Sequence, residues 1–337
     1  MPRLRPRLFS LAGLVAHVRP EEIALVLFAI VLLAIMVATR TFQLGSYRHP
    51  RFLQCVLVLA LLVAAREFRR AKKALPRIAT RSVTRAALLR AAGATLTVAR
   101  DFAPFFGIAL LYETLHDLTP LLRPHIVDGT LLAIDRAVFG VDVSYWLGLH
   151  ATPLLTRVMV WCYASYFVSP ALLASVIYFT GDRALFRDLL LAGVLCAVLG
   201  YTGYLLVPAV GPYVYEADLF PTRLPGGGAE THVFIRAIDD LKGVARDCFP
   251  SLHTAHTTVV LAFSWRFRRA VFWCFLPIAL GLYVSTVYLR MHYVVDVAAG
   301  FVTAAIAVGL APRINRKWRV WRGEAILTDG ATEPVTG

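Results

Sequence analysis

Charge is scarce in this sequence. Only 17% of its 337 residues are Asp, Glu, Lys or Arg, where a water-soluble chain carries about a quarter. A cytosolic globular enzyme is excluded. Disorder is excluded too, because the low charge accompanies 58% hydrophobic residues, enough apolar surface to drive folding. Cysteine is sparse and scattered: Cys55, Cys162, Cys196 and Cys274 fall inside apolar runs, and Cys248 stands in a polar connection. That odd set gives neither a disulfide framework nor a CxxC metal pair. No small-residue cleavage site follows the first apolar run, which therefore reads as a span and not as a removed signal. There is no internal repeat and no low-complexity tract beyond the flexible turn at Gly226, Gly227 and Gly228. Nor does any aromatic-basic reader motif accompany the net charge of +14. Nucleic acid is not an expected partner.

What is present is a series of apolar runs, each near the roughly 20 residues that cross a bilayer. Eight are expected, over Glu21–Thr39, Phe52–Ala65, Phe102–Leu118, Val158–Phe179, Asp188–Val207, Leu252–Trp265, Ala270–Leu289 and Val294–Ala311. Placing both termini and alternate connections on one side gathers 24 of the 35 Lys and Arg residues there. Cytoplasmic loops hold that excess, so the termini are expected in the cytoplasm and the long connections, 119–157 and 208–250, outside. The basic stretch from Arg66 to Arg100 interleaves Arg with Leu, Ala and Val, which predicts an amphipathic helix on the anionic cytoplasmic surface. Segment 125–150, ending at Tyr145 and Trp146, predicts an interfacial helix on the outer face. The fold class is all-α: a polytopic membrane helix bundle. Three regions are expected: an N-terminal hairpin with the basic segment (1–100), a catalytic membrane region (101–315) and a cytoplasmic tail (316–337).

Ionisable groups at membrane depth are costly and mark function. Two clusters meet that description. Cys248-Phe249-Pro250-Ser251-Leu252-His253-Thr254-Ala255-His256 enters the sixth expected span, and Arg290-Met291-His292-Tyr293-Val294-Val295-Asp296 enters the eighth. The topology brings both to the outer face. Pro250 and Ser251 suit a helix start, whose free N–H groups and positive dipole end form an anion site. His253, in the first turn, can give a proton to an oxygen leaving that anion. His292 and Asp296 are four apart, hence expected on one helix face, with the carboxylate holding one imidazole nitrogen and leaving the other to attack. Arg290 offers a bidentate grip on phosphate.

Pro-Ser-Leu-His-Thr, followed about forty residues later by Arg-x-His-Tyr-x-x-Asp-Val-x-x-Gly, resembles the type-2 phosphatidic acid phosphatase superfamily. The segments Ile134–Gly140, Tyr163–Phe167 and Pro208–Tyr213 resemble its inositol phosphorylceramide synthase branch. The resemblance implies a six-helix core, a phosphohistidine intermediate with His292 as nucleophile, Asp296 as its orienting partner, His253 as general acid and Ser251 as phosphate ligand. It also implies a lipid phosphotransferase drawing on a membrane phospholipid donor and a lipid or polyol alcohol acceptor. Two departures stand out. The family's first Lys-Arg-Pro motif is absent at Val207–Pro212, and the Arg six before the nucleophile is Thr286. Arg290, Arg246 and Lys242 are left as candidate phosphate clamps. Tyr166, Tyr213, Asp135 and His256 are candidate substrate contacts.

Two other readings stay open. Water in place of the alcohol gives a lipid phosphatase, and a different class is a proton-coupled lipid transporter, although no duplicated halves are visible. A zinc site would take His253, His256, His292 and Asp296; the phosphohistidine reading needs neither metal nor other cofactor. The expected setting is the cell membrane, of the bacterial inner-membrane type.

Overall fold

In the computed structural model, helices occupy most of the described residues, which are 18–40, 81–220, 224–225 and 246–323, and no strand occurs among them. Helix α1 is Pro20–Thr39 and α2 is Arg81–Leu122. Two short helices follow, α3 (Asp128–Phe139) and α4 (Val143–Leu149), then α5 (Pro153–Ala164) and α6 (Ser169–Thr180) joined by a 3₁₀ turn at Ser165–Phe167. Helix α7 is Arg183–Leu206, α8 is the single turn Pro212–Tyr215, α9 is Leu252–Phe267, α10 is Arg269–Tyr288 and α11 is Val294–Trp321. Local chemistry sets several starts. Asp142, Thr152 and Asp182 each accept a hydrogen bond from the backbone N–H three residues on, capping α4, α5 and α7.

Seven of the eight expected spans coincide with helices; Phe52–Ala65 lies outside the described residues. Five helices are long and apolar enough to cross a membrane, six if α5 and α6 count as one span bent by 48°. Pro170 explains that bend, since it lacks the N–H that would continue the helix. Helix α9 has 16 residues, about 24 Å at the usual rise, so it is shorter than the hydrocarbon layer. Exposed Val26, Leu27, Ile30, Trp161 and Val302 cover the outside of these helices. Such apolar surface requires lipid around it, and the protein is a multi-pass membrane protein. The basic stretch differs from expectation. From Arg81 the chain runs as one helix through position 100 to Leu122, with no separate surface helix over 81–100; 66–80 lie outside the described residues. Segment 125–150 forms two helices, α3 and α4, divided at Gly140, whose φ of +72° favours glycine.

The chain divides into two compact units, Met1–Thr41 with Leu115–Gly337, and Phe42–Thr114. In the first, α9 is the central helix, packed against α6, α7, α10 and α11. Its Ala255, Val259, Val260 and Phe263 are buried on several sides. Facing it, α11 presents Gly300 and α7 presents Gly200, small residues that let membrane helices approach closely. A methyl at Gly300 would lie 2.6 Å from the Ser251 carbonyl oxygen. The start of α9 is thereby held against the first turns of α11.

Candidate active site

The segment before α9 and the segment before α11 meet through their backbones. Ser251 N–H donates to the Asp296 carbonyl at 3.0 Å, and Cys248 N–H donates to the Ala209 carbonyl at 3.1 Å. The α10–α11 turn is tight: Met291 and His292 N–H groups both donate to the Thr286 carbonyl, at 2.9 and 3.1 Å. Arg290 within it takes φ +65°, a left-handed conformation that costs a non-glycine residue about 1–2 kcal/mol. Tyr213 N–H on the Arg290 carbonyl, at 2.8 Å, helps to hold that turn. Gly211 (φ +85°) lets the 208–213 loop pass, since a Cβ there would sit 2.6 Å from the Met291 carbonyl oxygen.

The result is a pair of imidazoles in contact. His253 Nδ1 lies 3.3 Å from His292 Nε2. His292 Nδ1 lies 2.8 Å from the Cys248 carbonyl oxygen and 3.5 Å from Asp296 Oδ2. A carbonyl can only accept, so Nδ1 carries the proton and Nε2 of the neutral ring presents its lone pair to His253. The closer partner of Nδ1 is therefore backbone, with the expected Asp296 carboxylate beside it. Asp296 itself accepts at Oδ2 from Tyr293 N–H (2.8 Å) and from the Cys248 thiol (2.9 Å). His292 and Asp296 are buried, and His253 is half-buried. Its ring is enclosed by Tyr163 and Tyr166, with centroids 4.4 and 4.3 Å away, and by Phe167 at 6.4 Å.

The remaining expected residues sort by what they touch. Ser251 caps α9, accepting from Thr254 N–H and Oγ1–H at 3.3 and 3.2 Å. Tyr166 lies on His253 and its hydroxyl is 3.3 Å from His256 Nδ1. His256 has its Nε2 3.1 Å from the Gly193 carbonyl and its Nδ1 on the Tyr166 hydroxyl, so it braces Tyr166. Asp135 is seated against backbone. Its two oxygens accept from Val294 and Val295 N–H, at 2.6 and 2.9 Å, and cap α11. Arg246 donates one guanidinium N–H to the Arg123 carbonyl. The Arg290 guanidinium lies 3.9 Å over the Phe220 ring and is buried; burial draws its pKa down, with Tyr288 and Asp142 opposing. Lys242 lies outside the described residues. Of the four residues that the alternative zinc reading would take, His253 and His256 do not group with His292 and Asp296 as metal donors among the described residues.

Sequence reasoning missed Asp128. Fully buried, it accepts from Val210 and Gly211 N–H and from the Tyr293 hydroxyl, at 3.0, 2.8 and 3.1 Å. Burial raises its pKa against those donors. Its one sequence signal is the seven-residue step to Asp135, two turns along the same face of α3. Together the two carboxylates tie α3 to the 208–213 loop and to the segment that carries His292.

Residues 129–310 match the PAP2 superfamily. The chain belongs to that family. It is an enzyme of the phosphatase and phosphotransferase class, which sets the carrier reading aside. Among curated proteins it is 26% identical over 235 residues to a phosphoinositol dihydroceramide synthase of Bacteroides thetaiotaomicron, covering 63% of this chain and 76% of that one. It is 27% identical over 218 residues to an inositol phosphorylceramide synthase of Candida albicans, covering 58% of this chain and 44% of the relative. No solved structure matches the chain. The sequence resemblance thus pointed to the right family and branch.

Proposed function

We propose that this enzyme transfers a phospho-head-group, phosphoinositol in the reading nearest its relatives, from a membrane phospholipid to a lipid alcohol of the ceramide type. The observation that carries the mechanism is the 3.3 Å contact between His253 Nδ1 and His292 Nε2, with His292 Nδ1 committed to a carbonyl. In the first step the Nε2 lone pair attacks phosphorus. An N–P bond forms, the P–O bond to the donor's glycerol oxygen breaks, and protonated His253 gives its proton to that oxygen. His253 must swing aside to admit phosphorus, since its N–H occupies the attacking lone pair at rest. The phosphorylated ring is cationic, and the Asp296 carboxylate at 3.5 Å steadies it. In the second step the acceptor hydroxyl loses its proton to His253, its oxygen bonds phosphorus and the N–P bond breaks. The N–H groups at the start of α9, with Ser251 and Arg290, bear the phosphoryl charge, and no metal is required.

The basic-residue bias supports a bacterial inner membrane setting with both termini in the cytoplasm and the site at the outer face. Purified enzyme, offered a panel of phospholipid donors with and without alcohol acceptors and analysed by mass spectrometry, tests the reading. A new phospho-head-group lipid that appears only with acceptor supports transfer. Release of the free head-group phosphate regardless of acceptor overturns it in favour of hydrolysis.

A further inference from the structure

On the side of His292 that faces away from His253, the Cys248 thiol, which phosphoryl transfer does not use, joins Nδ1 and the Asp296 carboxylate in one donor set. Cys248 Sγ lies 2.9 Å from Asp296 Oδ2 and 3.6 Å from His292 Nδ1, and the last two atoms are 3.5 Å apart. All three residues are buried, with their ligand atoms within 4.8 Å of one another. Tetrahedral zinc bound by one sulfur, one nitrogen and one oxygen at ordinary bond lengths separates those atoms by about 3.3–3.6 Å. Two of the three separations in the resting cluster match that arrangement, and Sγ and Oδ2, at 2.9 Å, must open by about 0.6 Å to complete it. A fourth corner is at hand in the Met291 carbonyl, 3.3 Å from Sγ. A second observation points to a cation: Asp296 Oδ1 is buried with no hydrogen-bond partner among the described residues. Such an oxygen is costly to leave unanswered. Burial first, and then the charges of Asp296, Asp128 and Asp247, push the Cys248 thiol up, and those three carboxylates give the site a negative setting that suits a cation.

We propose that Cys248 Sγ, Asp296 Oδ2 and His292 Nδ1 form an inhibitory site for a thiophilic divalent cation of the Zn²⁺ type. Binding ionises the thiol, whose proton leaves to solvent. The metal takes the Nδ1 lone pair, so the ring proton that sat on Nδ1 moves to Nε2. The nitrogen that attacks phosphorus then bears hydrogen and has no lone pair in the ring plane. Occupation of the site is independent of the catalytic reading; its inhibitory consequence rests on His292 being the nucleophile.

The test uses the purified full-length enzyme in detergent. Activity is measured in buffered free Zn²⁺ and after EDTA, and Co²⁺ is titrated separately to follow the thiolate-to-metal charge-transfer band. The expected result is a Co²⁺ band that Zn²⁺ bleaches, with turnover falling about tenfold or more on Zn²⁺ binding and returning with EDTA. In Cys248→Ala, compared with its own EDTA-treated activity, inhibition weakens on the order of 100-fold and the band disappears. Cys248→Ser, which keeps a hydrogen-bond donor to Asp296, must lose the band as well, and it serves if the alanine variant does not fold. No band in the parent enzyme, or a band unchanged in both variants, overturns the site. A band without inhibition upholds the site and strikes instead at His292 as the nucleophile.

Discussion

Truncating His253 to alanine separates proton donation from nucleophilic attack. A donor whose leaving group is an unactivated alkoxide needs a proton as the P–O bond breaks, and a positioned acid supplies about 10²- to 10⁴-fold, or about 2.7–5.4 kcal/mol. His253→Ala loses that amount with a natural phospholipid. A nitrophenyl ester of the same head-group leaves as a stable anion, so its first step slows by about tenfold or less. Geometry adds a second effect. The His253 Nδ1–H that occupies the His292 lone pair at 3.3 Å is gone in the variant, so attack on the activated ester meets one obstacle fewer. The acceptor step remains slow, because its hydroxyl has lost the base that takes its proton. Phosphorylated His292 therefore builds up. Rapid quenching with a labelled nitrophenyl donor should show acid-labile, base-stable label on the His253→Ala protein above the parent's steady level, and none on His292→Ala. Equal losses for both donors, or no label on the His253 variant, refute this division of labour.

Three further outcomes follow from the contacts around the pair. Asp135→Ala leaves two buried N–H groups at the start of α11 without their acceptor, which should cost about 1–3 kcal/mol; a thermal melt unchanged from the parent would contradict the cap, and Asp135→Asn should fall between the two. Gly300→Ala forces a methyl to within 2.6 Å of the Ser251 carbonyl, so kcat should fall by about tenfold or more as the α9 start shifts from His292; full activity would mean that the approach is not needed. Glu216, buried beside Asp142, is pushed up to about 8 from 4.5 by burial first and then by that neighbour, with Arg136 opposing. Its folded form holds the proton more tightly than the unfolded chain, so stability present below pH 4.5 is lost as pH rises toward 8. Glu216→Gln should remove that fall and melt higher than the parent at pH 9 by calorimetry, with little difference at pH 5; a lower melting point at pH 9 would reverse the sign.

The imidazole pair was legible in the sequence because its cause is topological. Hydropathy and the Arg distribution put residues 253 and 292 at the same end of two neighbouring helices, and the small side of α11 lets α9 close on it. Which atom each imidazole would meet was not legible. The four-residue step from His292 to Asp296 predicts a shared face only if both are helical, but α11 begins at Val294. His292 belongs instead to the turn hung from the Thr286 carbonyl, and that turn swings Nδ1 onto the Cys248 carbonyl. The same turn, through the left-handed backbone at Arg290, sends the expected phosphate clamp across Phe220. Arg246 meets a backbone acceptor that a sequence cannot display. Asp128, and the bracing contacts of Asp135, escaped for a related reason: their partners are mostly backbone N–H groups, which every residue but proline possesses and which no motif records. In this protein side-chain spacing announces the reacting groups, while the machinery that aims them is mostly main chain. A substitution that alters a turn near Arg290 or Gly211 should therefore damage catalysis as surely as one that removes an imidazole.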